Sequence, residues 1–279
     1  TTRVISSFFA PIMKSMLELA RENAGIMAEW YRLFELQHML VNPFEVLAIK
    51  ERLTHYNIRR FVDVGCGAGD ITTAFKDACG FQICALEPEP YFYKRTTDKF
   101  RNTGIELLNI PLAGYAKNHT ADCLFFRFVV QHFPDKTSLC GDAFNILVPG
   151  GLAIIVESVV CQNNPPIKTY KEIGRRFVEF YGRGTAGDLE ADTVKSFVGA
   201  GFMLVHRGLL QIPANSIPKK QVFGEMLFNA GLVKAMSSNQ DLAIMDKLRE
   251  ELMILDSPAA SVDYQDLLLI FQKDQNGQI

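Results

Sequence analysis

The sequence lacks several features that would each define a class of protein. It has no apolar run near the ~18 residues that span a bilayer and no secretory-type apolar segment. Its formal net charge is −2 and it contains no long basic stretch, which argues against recognition of nucleic acid through phosphates. The 6 cysteines form no Cys-x-x-Cys pair, and several lie in apolar segments, as is typical of buried thiols in a reducing compartment. We therefore expect a cytoplasmic protein that binds neither membranes nor nucleic acid.

The composition that is present favours a globular enzyme-sized core. Hydrophobic residues make up 48% of the chain and charged residues 22%, so disorder is disfavoured. The 279 residues suit one large domain, or a core with a smaller cap. No set of His, Cys and Asp has the spacing of metal ligands, and no Ser or Cys has the surroundings of an activated nucleophile. We expect no bound metal.

The N-terminal part of the chain is predicted to be helical. Apolar and aromatic side chains recur at three- and four-residue steps from Ile26 to His38, which places them on one helix face. A further helix is predicted to begin at Asn42, with Asn42 as its cap and Pro43 in its first turn, and to end near Tyr56.

Downstream, short apolar segments alternate with helical patterns, which favours a parallel sheet with helices on both faces. The predicted strands are 60–64, 81–86, 105–109, 122–128, 152–157, 202–207 and 264–271. Residues 211–261 add two helix patterns, 221–236 and 239–255, between the last two strands. An insertion of this length with its own helices favours a lid or an interface over a loop.

The most informative segment is Phe61-Val-Asp-Val-Gly-Cys-Gly-Ala-Gly69. An apolar strand breaks into three alternate glycines, and a helical pattern follows. Glycine is needed where a backbone turns tightly and approaches a ligand without a Cβ in the way. A second apolar run ends in Glu87, and an acid about 20 residues after such a turn is where nucleotide-binding folds hold ribose hydroxyls. The segment therefore predicts a nucleotide-type cofactor site.

The spacing distinguishes two kinds of cofactor. A dinucleotide site requires Gly-x-Gly-x-x-Gly, whereas here the third glycine is Gly69 and Asp70 stands in the dinucleotide position. Asp63, inside the strand, the Gly-x-Gly-x-Gly loop and Glu87 together resemble the class I S-adenosylmethionine-dependent methyltransferases. A Pro-Gly-Gly turn at 149–151 is similar to the turn before the family's fifth strand. The resemblance is strong over residues 57–160 and weaker over 190–210 and 262–273.

The resemblance implies an α/β fold: a seven-stranded, doubly wound Rossmann-like sheet whose last strand is antiparallel, with an α-helical cap. We expect an N-terminal helical cap over residues 1–56. The cofactor-binding core is expected over residues 57–210 and 262–279. A helical insertion over residues 211–261 is expected to complete the cap.

The resemblance also implies S-adenosylmethionine as cofactor and S-adenosylhomocysteine as product. Ligands of such sheets bind outside the carboxyl ends of the strands. Many relatives have an acid after the third strand to meet the adenine amino group, where this sequence has Asn109. The predicted cofactor-binding residues are Asp63, Val64, Gly65, Cys66, Gly67, Gly69, Glu87, Pro88, Asn109, Ile110, Arg127 and Phe128.

A candidate base follows the fourth strand. The segment from Arg127 to Asp135 resembles the family's segment with a histidine before Pro-Asp. His132 is the predicted catalytic base, because histidine as a residue type titrates near neutral pH; the alternative is that it only orders the turn. The predicted substrate-binding residues are Tyr31, His38, Glu157 and Tyr170.

The sequence thus predicts in-line methyl transfer to an oxygen atom of a small metabolite, with a nitrogen atom as the second choice of acceptor. Two alternatives stay open at this stage. One is a non-methylating reaction, such as a cyclisation or rearrangement, in an enzyme of the same fold and cofactor. The other is a non-catalytic binding module. A homodimer is also left open, because a long insertion could bury itself between two copies.

Overall fold

The computed structural model describes residues 24–133, 136–181 and 186–274. The chain divides into two compact units. We call residues 41–160, 185–212 and 264–279 the sheet unit, and residues 1–40, 161–184 and 213–263 the helical unit. Residues 1–23 of the predicted N-terminal cap and the last five residues of the predicted core lie outside the described part. The division assigns 41–56 to the sheet unit, whereas the predicted cap ended at residue 56.

The described strands are β1 Arg60–Val64, β2 Gln82–Leu86, β3 Glu106–Leu108, β4 Ala121–Arg127, β5 Leu147–Asn164, β6 Phe202–Ile212 and β7 Ser261–Lys273. They form a seven-stranded sheet in the order β3-β2-β1-β4-β5-β7-β6. Strands β1 to β5 pair in parallel through the neighbours β2–β3, β1–β2, β1–β4 and β4–β5, and β7 runs antiparallel to β6. This topology confirms the predicted Rossmann-like fold.

Helices connect the strands and cover both faces of the sheet. Alternate strand residues point to opposite faces, and each face has its own buried apolar cluster. Phe61 and Phe125 pack with Ile49 of the helix Asn42–Leu53 and Phe75 of the helix Asp70–Cys79, whereas Val62 belongs to the other cluster. The helices of this unit are α2 Asn42–Leu53, α3 Asp70–Cys79, α4 Pro90–Phe100, α5 Leu112–Tyr115, α6 Thr137–Ile146 and α8 Ala186–Gly199, with a 3-10 turn at Val130–His132.

The helical unit is held by packing among its own helices. Gly231 lets the helix Ile217–Ser237 approach its neighbours, because a Cβ there would lie 2.8 Å from Leu248 Cδ2. Lys220 is fully buried and donates hydrogen bonds from Nζ to the carbonyl oxygens of Ser257 and Ala260, at 2.5 and 3.0 Å. Its helices are α1 Ala24–Leu40, α7 Lys168–Tyr181, α9 Ile217–Ser237 and α10 Ile244–Leu252, with a 3-10 turn at Met253–Asp256. Within the described ranges, no helix combines the length and the apolar character that crossing a membrane requires.

Two predicted helix starts were wrong. Val41, not Asn42, caps α2, and no side chain accepts a capping hydrogen bond there. The helix predicted over 239–255 begins at Ile244, because Asp241 instead accepts a hydrogen bond from the backbone of Ala243 in a turn, at 3.0 Å. In both places a polar residue with capping chemistry lies near the helix but not at its cap position.

Candidate active site

The strand register aligns the predicted cofactor residues along one edge of the sheet. Val64 pairs with Leu86 and with Phe126, and Leu86 pairs with Leu108. The residues that follow these positions therefore lie side by side at the carboxyl ends of the four strands. They are Gly65, Glu87, Asn109 and Arg127. This is the edge at which sheets of this kind bind ligands.

The glycine loop turns back over this edge in a left-handed conformation. Gly65, Gly67 and Gly69 have φ values of 72°, 56° and 74°, which L side chains rarely adopt. A Cβ on Gly69 would lie 2.6 Å from two ring atoms of Phe100 and 2.8 Å from Thr96 Cγ2. Thr96 Oγ1 also donates a hydrogen bond to the carbonyl of Gly67, at 2.7 Å. Helix α4 therefore fixes the loop in place.

Glu87 links the second strand to the glycine loop. Its Oε2 accepts a hydrogen bond from the Gly67 N–H at 2.7 Å, and its Oε1 accepts one from the Glu89 N–H at 2.8 Å. Burial raises the pKa of Glu87 to about 7, although both N–H groups act in the opposite direction. Asn109 donates from Nδ2 to the Glu87 carbonyl at 2.7 Å, and Pro88 beside it is exposed. The carboxylate is thus held at the glycine loop, and its contact with a ribose diol stays a prediction.

Asp63 is the buried acid inside β1. Thr72 donates a 2.5 Å hydrogen bond from Oγ1 to Asp63 Oδ2. Burial raises the Asp63 pKa to about 6, against the Thr72 hydrogen bond and the positive charge of Arg127. The acid thus connects the last part of β1 to the first turn of α3. Contact between Asp63 and the cofactor stays a prediction. The same holds for Val64 and Cys66, which are buried, and for Ile110, which is half-buried.

The first turn of α3 favours a small cofactor over a dinucleotide. Asp70 is the first residue of this helix, and its Oδ1 accepts an ion-paired hydrogen bond from Lys99 Nζ at 2.7 Å. In a dinucleotide site the pyrophosphate occupies this helix N-terminus. A carboxylate there repels a phosphate group, so the position agrees with the distinction drawn from the glycine spacing.

Arg127 and Phe128 form a strained turn after β4. Phe128 has φ 58°, which is unusual for a bulky residue. Its N–H donates to the Val156 carbonyl at 2.9 Å, and the Arg127 guanidinium lies 4.3 Å from the centre of its ring. Arg127 Nε donates to Glu45 Oε2 at 2.7 Å. The guanidinium thus contacts Glu45 of α2 and the Phe128 ring. A direct cofactor contact by Arg127 or Phe128 stays a prediction.

His132 ends the 3-10 turn that follows, and Glu157 holds that turn. The N–H groups of Gln131 and Val130 donate to the Glu157 carboxyl, the former to Oε1 at 3.2 Å. Burial raises the pKa of Glu157 to about 8, against these two hydrogen bonds. The observed contact of Glu157 is therefore with the turn that carries the candidate base. Pro134, predicted to follow His132 in the family segment, lies outside the described residues, as does Asp135.

We expect Glu157→Gln to remove a pH dependence of stability. Because the folded-state pKa is raised, the protonated group stabilises the fold at low pH and this stability is lost as pH rises through about 8. Between pH ~4.5 and ~8 the free energy of unfolding should fall by up to roughly 5 kcal/mol in the wild type through this group. Glu157→Gln should lack that part of the fall and exceed the wild type in stability above pH 8. Urea unfolding from pH 5 to 9 measures this.

The exposed Glu179→Gln variant serves as the control for Glu157→Gln, because its carboxylate pairs with Arg175 at the surface. It should follow the wild-type slope. Equal slopes in Glu157→Gln and the wild type would show that Glu157 is ionised throughout this range.

The predicted acceptor residues fall in both units. Glu157 belongs to the sheet unit, and Tyr31, His38 and Tyr170 belong to the helical unit. Tyr31 and His38 are seven residues apart on α1; Tyr31 is half-buried and His38 is exposed. Lys234 donates from Nζ to the Tyr170 hydroxyl at 3.0 Å. Their roles in binding an acceptor stay predictions.

Sequence reasoning missed the residues that support the site from a distance along the chain. Thr72 and Thr96 fix Asp63 and the glycine loop, and Glu45 fixes Arg127. The only available signal was the acid in an apolar strand, since a buried carboxylate requires a hydrogen-bonding partner. Among the described residues, no group of three or more His, Cys, Asp or Glu side chains is arranged to hold a metal ion.

These residues fit S-adenosylmethionine by their chemistry. The loop offers backbone without Cβ atoms, and the buried Glu87 offers a carboxylate to hydroxyl donors. When bound, S-adenosylmethionine supplies a methyl group that is already activated by its sulfonium. The chain's own task is then to bind, to orient and to exclude water.

Comparison with known proteins agrees with this geometry. Residues 62–155 match the family described as methyltransferase domain, and this range contains both the glycine loop and Glu87. A search of curated proteins returns no match.

Solved structures with the same fold include three enzymes. One is named as a sarcosine dimethylglycine methyltransferase from Galdieria sulphuraria, with TM-score 0.54 and 15% identity over 84% of this chain and 86% of that one. The [4+2]-cyclase SpnF has TM-score 0.54 and 14% identity over 82% and 80%. A phosphoethanolamine N-methyltransferase 2 from Haemonchus contortus, in complex with S-adenosylhomocysteine, has TM-score 0.53 and 15% identity over 83% and 52%. The methyltransferase-domain match over residues 62–155 and the fold shared with these structures both agree with the S-adenosylmethionine site described above.

Proposed function

We propose that the protein transfers the methyl group of S-adenosylmethionine to an oxygen atom of a small metabolite, with a nitrogen atom as the second choice of acceptor. The observation that carries the cofactor part is the Glu87 carboxylate, held by the Gly67 N–H at the left-handed glycine loop. A small acceptor is supported by the net charge of −2 without a basic stretch, which disfavours nucleic acid. Two of the similar proteins, one of them named as an N-methyltransferase, are methyltransferases of small molecules by their printed names.

The helical unit is the proposed source of acceptor specificity. It is rich in aromatic and methionine side chains, which suit a drug-sized ligand. Of these, Met27, Phe223 and Met226 are buried in the unit itself, whereas Tyr31 and Tyr170 are half-buried. The latter two are therefore the better candidates for acceptor contact.

His132 is the proposed base for a hydroxyl acceptor. It lies in the turn after β4, at the carboxyl-end edge of the sheet, and its N–H donates to the Val129 carbonyl at 2.9 Å. Glu157 orders the same turn through the Gln131 N–H. The proton that leaves the acceptor hydroxyl during methyl transfer would pass to the imidazole.

The test uses S-adenosylmethionine with a deuterated methyl group and a mixture of small metabolites. We expect S-adenosylhomocysteine to form together with a small molecule that gains the labelled methyl mass. If the label enters protein or RNA, or if no S-adenosylhomocysteine forms with any small acceptor, the proposal fails. Once an acceptor is known, steady-state kinetics can test the residues.

We expect His132→Ala to lower kcat by roughly 10²–10⁴-fold for a hydroxyl acceptor. Its affinity for S-adenosylhomocysteine, measured by calorimetry, should be unchanged, because the base acts on the acceptor. The exposed His55→Ala is the matched control and should change neither value. If kcat is unaltered in His132→Ala, His132 is not the base and its role is limited to ordering its turn.

A cyclisation or rearrangement is the second candidate, because the [4+2]-cyclase SpnF shares the fold. The two candidates differ in stoichiometry. Methyl transfer releases one S-adenosylhomocysteine per product, whereas a rearrangement that keeps the cofactor intact releases none. Quantifying both by mass spectrometry decides between them.

A further inference from the structure

A buried group of charged side chains lies next to the Phe128 turn, on the face of the sheet that is covered by α2. Arg127 at the end of β4 donates from Nε to Glu45 Oε2 of α2 at 2.7 Å, and the Glu45 side chain is fully buried. Asp266 of β7 is also fully buried and lies beside the Glu45 carboxyl and near the Arg127 guanidinium. The Tyr264 hydroxyl faces Asp266 from the same strand. All four residues belong to the sheet unit.

The charges of this group do not balance if both carboxyls are ionised. An arginine is always cationic in a protein, so one carboxylate neutralises it and a second would leave a net negative charge in the interior. Buried like charges are strongly disfavoured, and one of two adjacent acids then keeps its proton.

The hydrogen bonds point to the same conclusion. Glu45 Oε1 and both oxygens of Asp266 are buried without a hydrogen bond of normal geometry from any donor in the described chain. Such buried acceptors are costly. A proton on one carboxyl would convert it into a donor to the other, and would satisfy an oxygen of each residue at once.

Electrostatics favour that proton. Burial raises the pKa of Asp266 well above its usual range, and the adjacent Glu45 raises it further. Arg127 and Tyr264 act in the opposite direction. Glu45 already accepts from Arg127, so it is the better anion and Asp266 the better acid.

We propose that Glu45 and Asp266 share one proton and that this carboxyl pair positions Arg127, and through it the Phe128 turn at the cofactor edge. The turn needs support, because Phe128 is held in a left-handed conformation with the guanidinium against its ring. Glu45 and Asp266 are thus positioning residues that act through Arg127. The inference rests on the proposed cofactor role of Arg127 and Phe128.

The test is a double-mutant cycle with Glu45→Gln and Asp266→Asn. Each single variant leaves one carboxylate for Arg127, so each should fold with a Tm close to the wild type and retain S-adenosylhomocysteine binding. The double variant removes both carboxylates of this group, so that only the charges of Asp63 and Glu157 still act on the buried guanidinium. Its Tm should fall by roughly 6–20 °C, and its Kd for S-adenosylhomocysteine should rise.

The matched control is the double variant Asp98→Asn with Glu179→Gln. Both of these carboxylates are exposed and each pairs with a surface arginine. The control should keep the wild-type Tm and the wild-type Kd, because exposed pairs contribute little.

The pH dependence of Tm provides a second measurement if the double variant fails to fold. The shared proton is bound more tightly in the folded state, so wild-type stability should fall as pH rises from ~4 towards the raised pKa. Asp266→Asn and Glu45→Gln should each lack this part of the fall.

Three results would overturn the inference. Additive losses in the double variant, or wild-type pH slopes in both single variants, exclude a shared proton. A Tm loss without any change in Kd excludes the positioning role. None of these measurements requires methyl transfer, so failure of the proposed acceptor chemistry would leave their outcome unchanged.

Discussion

We expect Gly69→Ala to abolish most S-adenosylhomocysteine binding and to destabilise the fold, whereas Gly80→Ala should leave binding unchanged and destabilise the fold less. Gly69 and Gly80 flank the same helix, α3, with nearly equal φ values of 74° and 70°. Their surroundings differ. A Cβ on Gly69 would meet the Phe100 ring at 2.6 Å, and a Cβ on Gly80 would meet nothing within 4 Å. Comparing the two variants therefore separates the effect of backbone strain from the effect of steric overlap of the new Cβ.

The expected magnitudes follow from this contrast. Gly80→Ala should lower the free energy of unfolding by about 1–2 kcal/mol, through the left-handed conformation alone. Gly69→Ala should lose about 2–5 kcal/mol, because overpacking against Phe100 adds to the strain. A displacement of about 1 Å in a binding loop can cost a factor of about 100, so we expect the Kd to rise by that order.

Urea unfolding and isothermal calorimetry with S-adenosylhomocysteine measure both effects. If Gly69→Ala binds as tightly as Gly80→Ala, the glycine loop is not the binding element. If the two variants lose equal stability, Phe100 moves aside at no cost.

The part of the site that the sequence predicts is encoded locally. A left-handed loop requires glycine at successive positions, and a buried parallel strand requires an apolar run, so residues 60–69 could be recognised from one short segment. The register then follows from the fold, because parallel neighbours bring their carboxyl ends to one edge. Glu87 and Asn109 could be placed this way.

The part that the sequence could not predict depends on pairs far apart in the chain. In the sequence, Glu45 stands three residues after the predicted Asn42 cap, which is the position of the acid in a capping box. The structure instead buries it against Arg127, 82 positions later. Asp266 lies inside a predicted apolar strand, and no local pattern indicates which acid or base would face it. The division into two units likewise depends on helix packing that the periodicity leaves undetermined.

Three carboxyls at the edge share one electrostatic property. Burial raises the pKa of Asp63 to about 6, of Glu87 to about 7 and of Glu157 to about 8. Perturbed carboxyls cluster at functional sites, because binding groups are held in environments that exclude water. Their titration near neutral pH should therefore be visible in ligand affinity.

We expect S-adenosylhomocysteine affinity to rise with pH up to about 8 and then to level off, and Glu87→Gln to remove this dependence. The proposed role of Glu87 is to accept hydrogen bonds from ribose hydroxyls, which requires the carboxylate. With a pKa of about 7 in the free protein, only about a tenth of the molecules carry the carboxylate at pH 6. The Kd should therefore fall by about tenfold between pH 6 and pH 8.

Glu87→Gln should weaken binding most at pH 8, where the wild type carries the carboxylate. An amide nitrogen cannot accept a hydrogen bond from the Gly67 or Glu89 N–H, so one of the two contacts that hold the side chain is also lost. A hydrogen bond from a ribose hydroxyl to a charged group contributes about 1.5–3 kcal/mol, so its loss corresponds at pH 8 to a rise in Kd of roughly 10–150-fold. Calorimetry at pH 6, 7 and 8 measures both the offset and the slope.

Two control variants assign the pH dependence to Glu87. Glu106→Gln removes an exposed carboxylate on β3 and should keep the wild-type profile. Asp63→Asn removes the other buried acid near Glu87 and should keep the step, at a slightly lower pH, because the Asp63 charge helps to raise the Glu87 pKa. If Glu87→Gln retains the step and Asp63→Asn loses it, Asp63 is the titrating group, and the ribose contact must be assigned to a different side chain.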